Sequence, residues 1–124
     1  MGCRNNYKSF GGMIAGESNE ISGDFSSVRA GHYRIASNLG SSISGRFSNT
    51  TSGIYSSVSG GYGNTANGIL SSVSAGHFQT ASGYCSSLSG GSNSTASGGN
   101  SSVSSGTFNI ATGGSSTISS GTYA

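Results

Sequence analysis

Aliphatic side chains return at one interval along this chain: Met13, Val28, Ile43, Val58, Val73, Leu88, Val103 and Ile118 stand fifteen residues apart. A short fixed period is the signature of stacked units, none of which buries a hydrophobic face alone. A second column runs out of phase with the first, as Ile21, Ala36, Thr51, Ala66, Ala81, Ala96 and Ala111. Two residues after each comes a turn former: Gly23, Asn38, Gly53, Gly68, Gly83, Gly98 or Gly113. A further glycine column, Gly16, Gly31, Gly61, Gly76, Gly91, Gly106 and Gly121, is interrupted by Arg46. Each repeat therefore holds two short extended segments and two corners.

Within Ser71-Ser72-Val73-Ser74, strand alternation sends Val73 to one side and Ser72 and Ser74 to the other. Val73 then faces inward, and so does Ala81 from Thr80-Ala81-Ser82 across the coil. An alanine opposite a valine defines an interior one side chain deep. The predicted fold is all-β: a parallel β-solenoid, or β-roll, with 15-residue coils and about eight of them. Residues 1–10 read as an irregular N-terminal segment or partial first coil, and 11–124 as the solenoid repeat domain. Its core columns are the eight aliphatics above with Ile21, Ala36, Ala66, Ala81, Ala96 and Ala111. Corner glycines are expected to supply positive φ. Asn19, Asn49, Asn64 and Asn109, with Gln79 in the same column, are placed to hydrogen-bond from coil to coil. Proline is absent, as suits a chain whose N–H groups enter ladders. At about 4.8 Å per strand, eight coils make a rod about 38 Å long.

Composition agrees with so thin an interior. Hydrophobic residues are 31% and charged residues 6% of the 124, too few for a conventional two-layer core. Gly- and Ser-rich linkers share this bias but do not space their aliphatics regularly. The net charge is +2, and Arg4, Lys8, Arg29, Arg34 and Arg46 form no phosphate-tracking run, so nucleic acid is not an expected partner. No apolar run approaches the ~20 residues of a membrane span. Met1-Gly2-Cys3 resembles the start of acylated proteins, but Asn6 stands where that pattern takes Ser or Thr. Cys3 and Cys85 have no metal-ligand spacing.

His32 and His77 share a column three coils apart, about 14 Å, and so cannot pair on a metal. Glu17, Glu20 and Asp24 cluster in sequence but lack the glycine-aspartate nonapeptide of calcium-binding rolls. No serine has a recognisable base and orienting group. Catalysis, cofactors and metals are accordingly not expected. Aromatics gather at the corners, with Phe10, Phe25 and Tyr55 in one column and Tyr33, Phe78, Phe108 and Tyr123 in another. Leu39, Ile54, Ile69, Leu70 and Tyr84 lie beside the first. Exposed apolar ridges mark partner surfaces, and the seven aromatics are the candidate interface; local packing over the ends of the coil is the alternative. Outward serine pairs (Ser57/Ser59, Ser72/Ser74, Ser87/Ser89, Ser102/Ser104) form a hydroxyl array that also admits an ice-binding reading. Asn49, Asn93 and Asn100 match the N-glycosylation acceptor pattern.

The consensus Ser-Ser-Val-Ser-Gly-Gly-x-x-Asn-Thr-Ala-Ser-Gly-x-Tyr, best seen from Tyr55 to Gly98, resembles the head repeats of YadA-type trimeric autotransporter adhesins. Ser72-Val73-Ser74-Ala75-Gly76 keeps the Val and the Gly of the first half of their motif, with Ala75 in place of its second aliphatic, Ala81-Ser82-Gly83 keeps the second half, and the likeness covers 11–124. The period here is fifteen where the family's is fourteen. The resemblance implies a left-handed roll, assembly as a trimer, and adhesion at a cell surface.

The expected function is that of a structural subunit of an extracellular or surface fibre. It would associate with itself, as a filament by solenoid stacking through uncapped strand edges or as a trimer. The alternative is an adhesin or viral-fibre head that binds a host or surface ligand, located outside the cell or on the virion surface.

Overall fold

The computed structural model describes residues 4–124. Among these residues the chain forms two parallel eight-stranded sheets of two-residue strands and no helix. The alanine sheet contains Asn6–Tyr7, Glu20–Ile21, Ile35–Ala36, Thr50–Thr51, Thr65–Ala66, Thr80–Ala81, Thr95–Ala96 and Ile110–Ala111. Facing it, the valine sheet contains Met13–Ile14, Ser27–Val28, Ser42–Ile43, Ser57–Val58, Ser72–Val73, Ser87–Leu88, Ser102–Val103 and Thr117–Ile118. The chain alternates between them, as a β-solenoid of 15-residue turns requires. Val73 pairs with Val58 on one side and Leu88 on the other, and Ala81 likewise with Ala66 and Ala96. Each coil donates upward, for example from Ser72 N to Ser86 O at 2.9 Å and from Thr80 N to Ser94 O at 2.9 Å.

Between the sheets lies a single layer of side chains. Val28, Ile43, Val58, Val73, Leu88 and Val103 interleave with Ile21, Ala36, Ala66, Ala81, Ala96 and Ala111, none more than 2% exposed. Thr51 stands in the alanine column at 0% exposure, and its hydroxyl has no partner. Ile118 is half-buried and packs against this cluster.

The first coil corrects the expected phase. Asn6 pairs with Glu20 and Ile14 with Val28, so this coil has fourteen residues. Met13 is therefore not a core residue: it is 53% exposed, and Ile14 takes the inward position. A one-residue change in coil length reverses which side of the strand faces in. By the same shift Phe10 stands in the column of Leu39, Ile54, Ile69 and Tyr84, and Gly11 in that of Phe25. Gly11 has φ 72, and its open α-carbon lies under the Phe25 ring, as Gly40 lies under Tyr55. Residues 6–7, in the segment read as irregular or as a partial coil, are paired into the alanine sheet.

The two corners use glycine for different reasons. In the column from Gly16 to Gly121 φ is positive, as expected. In the column from Gly23 to Gly113 it is not; there the coils touch. A Cβ on Gly68 would stand 2.2 Å from Gly83 O. At this second corner the left-handed residue comes two positions later, and it is Phe25, Tyr55, Leu70 or Cys85 as well as Gly40.

The asparagine column forms a ladder of side chain to backbone, not of amide to amide. Asn64 Nδ2 donates to Gly60 O and Gly76 O, both at 3.0 Å, while its Oδ1 accepts from Gln79 N at 2.9 Å. This device satisfies the N–H that begins each alanine-sheet segment, where no strand neighbour does. It is interrupted twice. Gln79 overreaches to Gly90 O, leaving its own Oε1 unpartnered. Arg34, fully buried at 1% exposure, fills the column between Asn19 and Asn49 and offers no acceptor.

Candidate interaction surfaces

Stacking coils converts a repeated corner residue into a continuous edge, and both edges of this rod carry large exposed apolar side chains. At the first, where the chain passes from the valine to the alanine sheet, parallel bridges align Glu17, His32, Phe47, Tyr62, His77, Ser92, Thr107 and Thr122. Four consecutive rings stack there. His32 lies on Phe47 at 5.9 Å and 1°, Phe47 on Tyr62 at 5.3 Å and 3°, and Tyr62 on His77 at 5.2 Å and 24°. Tyr33 meets His32 and Phe47 edge-on, and Phe78 does the same to Tyr62 and His77. These offset-stacked and edge-to-face contacts are favourable aromatic geometries. Farther along, Phe108 stacks on Tyr123 at 5.1 Å.

The candidate interface residues fall on both edges, and all are exposed: Tyr33, Phe78, Phe108 and Tyr123 here, Phe10, Phe25 and Tyr55 on the opposite edge. Phe47 and Tyr62 belong to the first edge and were not singled out from the sequence. The column of His32 and His77 already contained them.

Six of the seven hold a left-handed backbone, from φ 52 at Phe78 to 59 at Tyr123. For a bulky side chain this costs roughly 1–2 kcal/mol. The peptide it turns donates down the rod instead of up: Phe78 N to Tyr62 O at 3.0 Å, Tyr55 N to Leu39 O at 2.8 Å. Glycine fills the same positions as Gly40 and Gly63 without strain. The geometry of the corner thus accounts for the conformation but not for the rings.

The second edge carries Phe10, Phe25, Leu39, Ile54, Tyr55, Ile69, Leu70, Tyr84 and Cys85 in unbroken succession, and it ends at Gly99, Asn100, Gly114 and Ser115. Phe10 meets Phe25 edge-on at 5.8 Å. Asp24 is its one charged member, accepting from Phe10 N at 2.9 Å. The Cys85 thiol is free and half-buried, while Cys3 lies outside the described residues.

The sequence-level carboxylate cluster disperses. Glu17 sits on the first edge with Oε2 3.7 Å from His32 Nδ1, Asp24 on the second, and Glu20 on the alanine sheet. No group of three His, Cys, Asp or Glu able to hold a metal occurs among the described residues. An open cleft of about 230 Å³ includes Arg4, Glu20, Tyr33 and Ile35 in its wall. It is smaller than the ~300–1,000 Å³ usual for ligand pockets.

Both flat faces are hydroxylated. Ser57, Ser72, Ser87 and Ser102 line the valine sheet, and a column missed from the sequence, Thr50, Thr65, Thr80 and Thr95, lines the alanine sheet between Ile35 and Ile110. Of the acceptor-pattern asparagines, Asn49 is 0% exposed and hydrogen-bonded within the ladder, so the folded chain withholds it from modification. Asn93 and Asn100 lie at outer corners.

No protein-family model matches the chain, and no curated protein matches it.

Proposed function

We propose that the chain is a passive structural element of an extracellular or surface fibre, a stiff rod whose copies associate along their edges. The carrying observation is the placement of large rings at left-handed corner positions that glycine fills without strain. Strain retained where the turn does not need it points to a role for the side chain. A continuous exposed apolar edge is in turn a partner surface. Another copy carries the same ~4.8 Å repeat, so contact made at one coil recurs at the next. Weak contacts per coil then add by multivalency, while the ladders supply stiffness. The thin interior supports a scaffold role in preference to an enclosed chemical site.

Small-angle X-ray scattering over a dilution series tests this reading. Assemblies with more than one rod in cross-section are expected, with any end-to-end continuation visible as length. A scattering profile of isolated ~38 Å rods at every concentration would overturn it.

The adhesin or viral-fibre reading draws on the first edge, where Arg46 adjoins the stacked rings and leaves a chemically mixed surface for a foreign ligand.

A further inference from the structure

Self-association leaves open which surface is used and in which direction the rods run. We infer that the second edge is covered by a second copy of this chain lying antiparallel, about a two-fold axis between the coils of Leu39 and Tyr55. The inference rests on the self-association proposed above and specifies its geometry.

Area favours this edge. Phe10, Phe25, Leu39, Tyr55, Ile69, Leu70 and Tyr84 are between 36% and 72% exposed. At about 200 Å² for a fully exposed large side chain, they present roughly 750 Å², close to the ~800 Å² per partner of a standard interface. The first edge is divided at Ser92 and Asn93, carries Glu17 and Arg46, and turns its ring faces toward one another.

Charge and shape favour the antiparallel direction. Every Lys, Arg, Asp and Glu lies between Arg4 and Arg46, so parallel copies would bring like charges to the same height and set Asp24 against Asp24. Reversal sets Asp24 against the uncharged coil of Ile69 and Leu70, with the two carboxylates about three coils, or ~14 Å, apart along the axis. That exceeds the ~8 Å screening length at physiological salt. Reversal also brings Leu39 and Gly40 opposite Ile54 and Tyr55, so the coil with the least bulk meets one with more. Phe10 comes opposite Tyr84 and Cys85. The arrangement is isologous and closes on itself, as two-fold pairs do.

Sedimentation velocity on the 124-residue protein, with Tyr55→Lys and Ile69→Lys on this edge and Tyr62→Lys on the other, tests the surface. The expected result is a species of twice the 12.2 kDa chain mass, weakened about 100-fold by either of the first two changes and unaffected by the third. Circular dichroism checks that each variant is folded. Association lost in Tyr62→Lys alone would overturn this assignment while leaving self-association standing; a wild-type chain that never associates would overturn both. Direction is read by oxidative cross-linking in a Cys3→Ser background. Adding Phe10→Cys should allow a disulfide to the Cys85 of the other copy, whereas Cys3→Ser alone should not cross-link. A Cys85–Cys85 dimer from Cys3→Ser alone would mean parallel rods or a two-fold axis at the Cys85 coil, and either refutes the arrangement.

Discussion

Replacing Arg34 by asparagine is expected to stabilise the fold, although it removes the largest of the fully buried side chains. The guanidinium is neutralised by no carboxylate: the one ion pair among the described residues joins His32 to Glu17. Instead Nη1 donates to Arg29 O at 3.0 Å and Ile43 O at 3.5 Å, Nη2 donates to Arg46 O at 3.3 Å, and Nε has no partner. Desolvation draws the pKa below its ordinary value, yet arginine stays charged at neutral pH. Removing such an ion from water costs several kcal/mol after relaxation. A good hydrogen bond to a charged group returns about 1.5–3 kcal/mol, and two of these three are long.

The neighbourhood carries further costs. Asn49 N–H would meet an acceptor if residue 34 were Asn, as Gln79 N–H meets Asn64 Oδ1; arginine offers none. Ala30 is left-handed at φ 51, unlike Gly45, Gly60 and Ala75 in the same column, at a cost of roughly 1–2 kcal/mol. An asparagine at 34 would copy Asn64, which is buried with both amide atoms satisfied. Part of the gain is lost to the volume vacated, and the net expectation is about 2 kcal/mol. For 124 residues, an unfolding entropy of about 0.26 kcal/mol/K converts this to a rise in Tm of about 8 °C, measurable by far-UV circular dichroism. Arg46 is the glycine-column exception and lacks the positive φ of Gly61 and Gly76, whose carbonyls take the ladder amides; Arg46→Gly lets its main-chain carbonyl, the acceptor for residue 34, reach that geometry, so the double change should exceed additivity by roughly 0.5–2 kcal/mol. A fall in Tm for Arg34→Asn would show that the carbonyl cage outweighs desolvation, and the argument would fail.

The same interior makes further measurements decisive. Val73→Asp places an unpaired charge in a layer one side chain deep and should cost at least about 3–5 kcal/mol; equal stability in a denaturant titration would contradict the inward placement of Val73. Thr51→Val removes a buried hydroxyl without a partner at nearly constant shape and should raise stability by about 1–2 kcal/mol in the same titration. Gly68→Ala drives a Cβ to within 2.2 Å of Gly83 O, whereas Gly114→Ala meets nothing within 4 Å. The former should lower Tm by at least several degrees and the latter leave it level or raised.

The sequence displayed the coil because the solenoid's contacts are themselves periodic. Val73 and Ala81 could be placed inward from alternation alone, and the structure places them there. Three things were illegible for definite reasons. The fourteen-residue first coil preserves an aliphatic at either phase, as Met13 and Ile14 are adjacent, so periodicity cannot choose between them; ladder register does. Glycine at 68 looks the same whether it supplies φ or clearance, because both demands exclude a Cβ. Arg34 reads in the sequence only as one of five scattered cations, and charge ordinarily means exposure; its burial follows from its place in the asparagine column, where it replaces a ladder amide. The candidate edges were legible as columns of rings, but the stacking through Phe47 and Tyr62 depends on the bridge positions between the sheets.

Those interruptions bear on how such a rod comes apart. In a one-dimensional array each coil's stability is its own plus the two interfaces it shares, so a defect weakens one junction without diluting the rest. Arg34 and Gln79 each end a run of the asparagine ladder, leaving Asn49 and Asn64 as an intact pair between them. The central coils lie within this run, and the proposed two-fold axis falls near its start. Lateral pairing along the second edge would span the junction after Arg34, tying coils on its two sides through the partner's Ile54 and Tyr55. An interface placed there stabilises the rod where its own ladder is weakest, and amide exchange at Asn49 should slow on association more than exchange at Asn109.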